Sequence, residues 1–280
     1  MQQLRIGSYN VKDFIAPSQG RGIRQPKSHQ ELSALADTIK ESGCDIIALQ
    51  EVGSKELLKR FIKGRLGDEY PHVSFVPGND RSGLNLAVIS KYPISNVVSH
   101  RKDRFLTADG SSTTQFVRDF VRTDVNVQGE TVAIYNTHGK ARLGNPATEE
   151  QRIAEARAGR EILLQDMQAF PAQLVLVAGD MNDETHNRSV QALARGDGQG
   201  PQMVDSLADK SSEEKMTWMI PGESRSGRLG LQFDHLLYPE HLQGCFLGSQ
   251  VHSQANNAGL ASDHYLVSAD FLIRTLPGEA

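Results

Sequence analysis

The stretch LVLVAGDMND, residues 174–183, gives the first indication of both the fold and the functional site. Its first half is an apolar run of strand length, rich in Val and Leu, which predicts a buried β-strand. The run stops at Gly179, and Asp180, Asn182 and Asp183 follow. A core strand that ends in carboxylate and amide groups is a rigid support for a site. An Asx-rich turn after a core strand would have the same sequence. The choice between a turn and a functional site therefore depends on the rest of the chain.

Composition limits the class of protein. The 280 residues suffice for a substantial core, and no linker or repeat divides them, which predicts one domain over residues 1–280. The formal net charge of −4 gives no general attraction for polyanions, so a nucleic-acid partner would have to meet a local basic patch or metal ions. No apolar stretch predicts a membrane span, and the first ten residues show no signal region, which favours a cytoplasmic protein. Cys44 and Cys245 both stand beside apolar residues, which predicts buried free thiols.

Strand-like and helix-like segments alternate along the chain. Ser28 and Glu31 form a capping-box pattern before a first helix, and Thr148 with Gln151 does the same before the longest one. A second helix is expected over about 54–66 and a long loop over 196–215. Strands are expected at 4–9, 44–50, 73–76, 84–90, 95–98, 114–127, 131–137, 174–179, 232–238 and 265–272. This order predicts an α/β fold in which two sheets pack together inside flanking helices.

Polar residues stand at the ends of the predicted strands. They are Asn10, Glu51, His138, Asp180 with Asn182, Asp234 with His235, and Asp263 with His264. Each one alone has an ordinary explanation as a helix cap, a strand-end charge or a buried histidine. Because strand ends on one edge of a sandwich can meet in one cleft, six such ends together predict a functional site.

The chemistry that suits such a cleft is phosphoester hydrolysis. Carboxylate and carboxamide oxygens are hard ligands, suited to Mg²⁺ or Mn²⁺ rather than to zinc. A bound metal ion would neutralise charge on the phosphate and on the leaving oxygen. A carboxylate such as Asp180 can accept the proton of an attacking water, and histidines can bind phosphoryl oxygens or protonate the leaving group.

The segments YNV, LQEV, SKYPI, NTHGK, GDMND, FDHLL and SDHYLV occur in this order over nearly the whole chain. The ordered set resembles the endonuclease/exonuclease/phosphatase superfamily, which has the DNase-I-like fold. The resemblance implies an α/β fold of four layers, with two packed and mainly antiparallel sheets between helices. It also implies a divalent-metal-dependent phosphoesterase.

The resemblance further implies a part for each polar residue. Glu51 would be the principal metal ligand, with Asn10 beside it and Asp263 near the metal. Asp180 would activate or orient the water, and Asn182 would position the phosphate. Lys12 stands where several family members have a second amide or acid, so the number of metal ions stays open.

Two histidines and three further residues complete the expected site. By resemblance, His264 would contact the scissile phosphate and would be oriented by Asp234. His138 stands where many family members keep a histidine that binds the phosphate or the leaving group. Three further residues are candidates to meet a substrate phosphate: Arg118, Lys140 and Asn85. An outward-facing strand arginine remains the alternative for Arg118, and a strand-edge amide remains the alternative for Asn85.

The substrate is less determined than the chemistry. The chain has NVKD and QEVG where the abasic-site endonuclease branch usually shows NVNG and QETK, and it lacks the inositol polyphosphate phosphatase signature around residues 233–235. A nuclease-like bacterial subgroup remains, so nucleic acid is the favoured partner and substrate, DNA before RNA. The alternatives are a phosphatase or phosphodiesterase of a small or lipid phosphoester, and a catalytically inactive binding module. No obligate protein partner is predicted.

Two basic loops could hold a phosphate backbone near the cleft. Residues 99–115 carry Arg101, Lys102 and Arg104, and residues 222–232 carry Arg225 and Arg228. Ordinary solvated loops would have the same composition, so both interpretations stay open.

Overall fold

The structure is a computed structural model that describes residues 1–20, 24–142, 145–170, 172–198, 200–219, 230–255 and 257–274. Its helices are α1 (His29–Ser42), α2 (Lys55–Phe61, continued by a π-helical turn at Ile62–Leu66), α3 (Pro146–Ala169), α4 (Arg188–Ala194) and α5 (Ala258–Ala261). Its strands are β1 (Gln2–Phe14), β2 (Ile46–Val52), β3 (His72–Val76), β4 (Asn85–Ser90), β5 (Ile94–Ser99), β6 (Phe105–Leu106), β7 (Thr113–Thr114), β8 (Phe120–Val127), β9 (Glu130–His138), β10 (Leu174–Asp180), β11 (Met203–Asp205), β12 (Trp218–Met219), β13 (Gly230–Leu231), β14 (Asp234–Pro239), β15 (Phe246–Val251) and β16 (Val267–Ile273).

Twelve of these strands form two six-stranded sheets with similar topology. The first has the order β15-β16-β1-β2-β4-β3 and the second the order β11-β14-β10-β9-β8-β5. Each sheet has one parallel pair at its centre, β1 with β2 and β9 with β10, and its other pairs are antiparallel. Parallel neighbours end at the same edge of a sheet. The C-terminal residues of β1 therefore lie beside those of β2, and the C-terminal residues of β9 lie beside those of β10.

Alternating side chains of these strands build three apolar layers. Leu4 and Ile6 of β1 face the second sheet, where they meet residues such as Ile134 and Leu176. The other face of the first sheet packs on α1 and α2. The outer face of the second sheet packs on α3 and α4, for example through Leu163. Helix, sheet, sheet and helix therefore form a four-layered α/β sandwich with a DNase-I-like arrangement, which confirms the expected fold class.

The ends of the helices show which sequence signals were correct. Ser28 caps α1 by accepting a hydrogen bond from the Glu31 amide, and Gly43 ends the helix with a left-handed backbone. The expected start of α3 at Thr148 was wrong. Asn145 is the N-cap, because its side chain accepts from the Ala147 amide, and a proline at the first helical position favours this start.

Other expectations also need correction. Residues 114–127 do not form one strand: β7 ends at Thr114 and β8 begins at Phe120, and the segment between them is tied to other elements. The expected loop at 196–215 contains β11, and β15 and α4 were not predicted. Cys44 is a buried free thiol as expected, whereas Cys245 is a free thiol that is only half-buried. No helix within the described ranges is long and apolar enough to cross a bilayer.

Candidate active site

The two central strands of the second sheet approach each other closely where they end. Asp180 lies opposite His138, and Gly179 lies opposite Thr137. Gly179 has a φ of +157°, and a Cβ atom there would lie 2.0 Å from the Thr137 carbonyl oxygen. Only glycine fits this contact, since any side chain would push β9 and β10 apart. The glycine of the GDMND stretch therefore brings the side chains of His138 and Asp180 together.

Asp180 is the residue on which the other expected side chains converge. It is buried, with 1% of its surface exposed. One carboxylate oxygen, Oδ1, accepts from the backbone amide of Asn182 at 2.8 Å. The other, Oδ2, accepts from Asn10 Nδ2 at 2.9 Å and lies 3.4 Å from His138 Nε2 and 3.7 Å from His264 Nε2. Burial raises the pKa of Asp180 to about 6, although the nearby His264 charge opposes the rise.

Glu51 reaches the cluster because the backbone of β2 changes direction there. Its φ is +65°, and the register with β1 and β4 shifts around it. A non-glycine residue in this region is strained, and bulges of this kind redirect a side chain. The carboxylate is held at both ends, since Oε1 accepts from Asn10 Nδ2 at 3.2 Å and Oε2 accepts from the Asp13 amide at 2.8 Å.

His264 and Asp234 form a buried ion pair beside Asp180. His264 Nδ1 donates to Asp234 Oδ2 at 2.8 Å, and Asp234 is fully buried. Burial lowers the pKa of His264, but the charges of Asp234 and Asp180 outweigh it and raise the pKa to about 10. The backbone amide of Asp234 donates to the Thr217 hydroxyl at 3.0 Å, which fixes the start of β14. The two carboxylates therefore favour the charged form of His264, whose Nε2 points towards the cluster.

His138 has the opposite electrostatic character. It is 3% exposed, and burial together with the positive charges of Arg118 and His264 holds its pKa well below the usual value. Its Nδ1 is buried with no hydrogen-bond partner among the described residues. The surroundings thus favour a neutral His138 and a charged His264, and the Nε2 atoms of both rings lie within 3.7 Å of Asp180 Oδ2.

Two buried side-chain amides, those of Gln50 and Asn136, link the two sheets next to the site. Gln50 Nε2 donates to Asn136 Oδ1 at 2.9 Å, which links the two sheets directly. Asn136 in turn donates to the carbonyl oxygens of Leu49 and Ala87 at 3.1 and 2.9 Å. Because buried polar groups hold their position through such bonds, this pair of amides fixes the separation of the sheets under Asp180. The sequence pattern contained Gln50 in LQEV, but nothing in it indicated the partner.

Arg118 and Lys140, two of the residues expected to meet a phosphate, lie near the cluster. Arg118 is buried, and its Nη1 donates to the Gly139 carbonyl at 2.7 Å while Nη2 lies 3.4 Å from Asp80. Its Nε has no partner in the described part of the chain. The backbone carbonyl of Lys140 accepts from Arg152 at 3.1 Å, which holds the segment after His138.

Asn85 and Asp263 both have protein partners in this structure. The Asn85 amide donates to the carbonyl oxygens of Val52, Gly53 and Gly83, and its oxygen accepts from the Gly78 amide. The Nδ2 group of Asn85 is therefore fully used by these carbonyl oxygens and is not free to donate to a phosphate in this structure. Asp263 forms an ion pair of 3.0 Å with Lys12, so this carboxylate already has a cation beside it.

A cleft opens on the Asn182 and His264 side of the cluster, with a volume of about 590 Å³. Its wall includes Trp218 and Phe233, whose rings stack at 5.1 Å between centroids. The guanidinium of Arg142 lies 5.7 Å from the Phe233 ring on the same wall. Sequence reasoning missed this surface, because it combines three distant segments. The single tryptophan of the chain was the one available signal.

The loop that carries Asn182 is held by a third histidine, His235, to which the sequence analysis gave no individual role. His235 is fully buried; its Nδ1 lies 2.9 Å from Asp205 Oδ2 and its Nε2 lies 2.9 Å from the Asp183 carbonyl oxygen. The Asp205 and Asp183 oxygens are acceptors, which favours a ring that donates from both nitrogens. The Gln232 Nε2 atom also lies 3.2 Å from Nδ1 and donates to Asp205 Oδ2 at 2.7 Å. Burial opposes the charge, but Asp205 raises the pKa of His235, and His235 lowers that of buried Asp205. A buried ion pair therefore fixes the turn in which Asn182 has a φ of +50°.

The basic loops expected to flank the cleft are only partly described. Arg101 donates to the Pro77 carbonyl at 3.0 Å and Arg104 to the Thr113 hydroxyl at 2.7 Å, so both are tied to neighbouring loops. Arg225 and Arg228 lie outside the described residues.

A divalent cation such as Mg²⁺ requires hard oxygen ligands. Ligand atoms of Asp180, Asp234 and His264 lie within 4.8 Å of one another. This trio suits a cation poorly, because His264 is itself positively charged. Glu51 supplies hard carboxylate oxygens near Asp180 without a competing positive charge, and these oxygens fit Mg²⁺ or a similar ion. Asn10 directs its Nδ2 at both carboxylates while its Oδ1 accepts from the Lys12 amide, so its amide would have to turn to add a second oxygen ligand.

Strand-end carboxylates and histidines that converge in a two-sheet sandwich are an arrangement suited to phosphoester hydrolysis. The sequence profile of the Endonuclease/Exonuclease/phosphatase family matches residues 7–264, and the chain belongs to this family. Members of the family are phosphoester hydrolases and are generally dependent on divalent metal ions.

Solved structures show the same fold at low sequence identity. Truncated Caenorhabditis elegans TDP2 has a TM-score of 0.66 at 17% identity, with 96% of this chain and 98% of that chain covered. The human Nocturnin catalytic domain with bound sulfate has a TM-score of 0.68 at 18% identity, covering 97% and 94%. D. rerio TDP2 complexed with single strand DNA product has a TM-score of 0.65 at 15% identity, covering 97% and 100%. No curated protein matches the sequence.

Proposed function

We propose that this protein is a Mg²⁺-dependent phosphodiesterase that hydrolyses nucleic acid, with DNA as the favoured substrate. The observation that carries the proposal is the convergence on Asp180 of an amide, a neutral histidine and a charged histidine, with Glu51 beside them. This arrangement offers a proton acceptor, a cation site and a positive hydrogen-bond donor within one cluster, which are the three parts that phosphodiester hydrolysis requires.

Glu51 and Asn10 are the residues that would hold the metal ion, with Asp180 next to them. When bound, Mg²⁺ would supply positive charge to the phosphate and to the leaving oxygen. Lys12 already neutralises Asp263 through their ion pair. We therefore place one metal ion at Glu51 and assign Asp263 no direct contact with it.

The remaining residues would act on the water and the phosphate. Asp180 Oδ2 would accept the proton of the attacking water, while its Oδ1 stays fixed by the Asn182 amide. Charged His264 would donate from Nε2 to a phosphoryl oxygen, and Asp234 would keep it charged and oriented. Asn182 would position the same phosphate, and neutral His138 would meet it or the leaving group from the other side.

The shape of the cleft favours nucleic acid over a small phosphoester. The stacked Trp218 and Phe233 rings form an aromatic wall beside His264, and base–aromatic stacking is a general mode of single-strand binding. Arg142 adds a positive charge to the same wall. The D. rerio TDP2 structure with a single strand DNA product supports this choice by analogy of fold alone.

Glu51→Gln gives the direct test of the metal-dependent activity. Supercoiled plasmid, single-stranded DNA, RNA and bis(p-nitrophenyl) phosphate are incubated with Mg²⁺ or with a chelator. We expect the parent protein to cut DNA only with Mg²⁺. We expect Glu51→Gln to bind Mg²⁺ at least about tenfold more weakly by calorimetry, because an amide replaces the anionic ligand.

Glu69→Gln is the matched control for this change, because Glu69 is an exposed carboxylate on the turn before β3. It should leave Mg²⁺ binding and cutting as in the parent. Cutting by the parent in the presence of the chelator would contradict the metal dependence. Turnover of bis(p-nitrophenyl) phosphate without any cutting of DNA or RNA would move the assignment to small phosphoesters.

A further inference from the structure

Lys12 places a positive charge at the edge of the candidate site. Its Nζ lies 3.0 Å from Asp263 Oδ2, and 48% of the Lys12 side chain is exposed. Asp263 directly precedes His264, and its negative charge contributes to the raised pKa of His264. The ammonium group of Lys12 is therefore the direct partner of a carboxylate that acts on the site through its charge.

The backbone at Lys12 is strained and holds two other site residues. Lys12 and Asp13 have φ values of +40° and +44°, a left-handed conformation that is costly for a lysine. The Lys12 amide donates to Asn10 Oδ1 at 2.9 Å, and the Asp13 amide donates to Glu51 Oε2 at 2.8 Å. Asparagine, aspartate or glycine would adopt this conformation more readily. The backbone therefore gives no reason for a lysine at position 12, and the reason must lie in the charged side chain.

Two arginines beside the site already have carboxylate partners of their own. Arg24 lies 3.2 Å from Asp13, and Arg118 lies 3.4 Å from Asp80. Both arginines act on His138 through their charge, so both are close to the site. Each pair is neutral as a unit, and neither arginine replaces Lys12 as the partner of another carboxylate.

Lys27 also acts on Asp263, but its ammonium group is held elsewhere. Its Nζ donates to the Ala261 carbonyl at 2.6 Å, and the charge of Glu31 offsets its own. Direct neutralisation of Asp263 therefore falls to Lys12.

The carboxylates that remain can be balanced by Lys12, His264 and one divalent cation. They are Glu51, Asp180, Asp234 and Asp263. His264 contributes one positive charge and Lys12 another, and a divalent ion at Glu51 would contribute two. With one such ion the set is neutral. A second ion would find no carboxylate without a positive partner, so its binding would not repay the cost of its lost hydration.

We propose that Lys12 limits the site to one divalent cation, because its ammonium group stands beside Asp263 where a second cation would otherwise bind. The proposal rests on the proposed function for the first ion, which is placed at Glu51. An ammonium group is a compact point charge, and as part of the chain it stays in place at any Mg²⁺ concentration. The protein would therefore need only enough Mg²⁺ to fill one site.

The test is the number of Mn²⁺ ions bound per chain in the absence of any substrate. Free Mn²⁺ is measured by electron paramagnetic resonance, and the heat of binding by calorimetry. We expect the parent protein to bind one ion and Lys12→Asn to bind two, the second about tenfold more weakly because few protein ligands hold it. Asparagine tolerates the left-handed backbone, so this variant should fold. Lys12→Arg keeps the charge and should bind one ion. Adding Asp263→Asn to Lys12→Asn should return the number to one.

Lys102→Asn is the matched control, because Lys102 is an exposed lysine in a turn. The proposal is overturned if Lys12→Asn and this control bind the same number of ions, or if the parent protein or Lys12→Arg already binds two. A second ion that persists after Asp263→Asn is added would overturn it as well, since that ion would not lie at Asp263. If Glu51→Gln weakens Mn²⁺ binding in the same experiments, these outcomes refute the role of Lys12 alone. A parent protein that binds no Mn²⁺ would refute the proposed metal dependence and the role of Lys12 together.

Discussion

Asp180→Asn is expected to lower the turnover of any phosphodiester substrate about 10³-fold while the fold stays intact. The substitution keeps the size of the side chain and its contact with the Asn182 amide, but it removes the charge and the proton acceptor. Oδ2 is the atom towards which Asn10, His138 and His264 all point. An amide nitrogen in that position would face the donor group of Asn10 and could not take a proton from water.

Turnover is measured with purified variants on plasmid DNA and on bis(p-nitrophenyl) phosphate, with circular dichroism to confirm the fold. Asp45→Asn is the control, because Asp45 precedes β2 at the opposite end from Glu51 and binds Arg5 and Lys91. It should retain the turnover of the parent. If Asp180→Asn stays within about tenfold of the parent, Asp180 is not the proton acceptor, and the role assigned to the GDMND stretch is wrong.

The fold could be predicted because its signals are local and repeated. β10 is an apolar run that ends at a glycine, and α1 carries a capping box and a glycine stop, so each element indicates its own limits. β8 begins later than expected because the segment before it is held by distant groups: Glu155 accepts from the Val117 amide, and the Asn79 side chain donates to the Phe116 carbonyl. Such contacts do not alter the alternation of polar and apolar residues from which strands are predicted. β15 was missed because it is an edge strand with a mostly half-buried side-chain pattern.

Those site residues that stand at strand ends could be predicted from the sequence. Contacts between segments that are distant in the sequence could not. Parallel central strands place Asp180 beside His138, so their proximity followed from the order of segments. The stacking of Arg142 on Phe233 requires two chain segments about ninety residues apart, and no pattern within either indicates it.

His235→Asn is expected to destabilise the protein by about 3–5 kcal/mol, because it leaves the buried Asp205 carboxylate without its charged partner. Asp205 also accepts from Thr185 and Gln232, so its position would shift together with the loop that carries Asn182. The free energy of unfolding is measured in urea for the parent, the two single variants and the double variant with Asp205→Asn. The double variant should cost less than the sum of the two single variants, since it removes both charges.

The pH dependence separates this ion pair from ordinary packing. The folded pKa of His235 is raised above its usual value of 6.5, so its contribution is fully present below that pH and is lost as the pH rises through the folded pKa. The cost of His235→Asn should therefore be larger at about pH 6 than at about pH 9. His252→Asn should show the opposite trend, because burial lowers the pKa of His252 to about 4 and the unfolded chain gains its proton first. Equal costs of His235→Asn at both pH values would show that His235 is held as a neutral ring and that Asp205 is not its ionic partner.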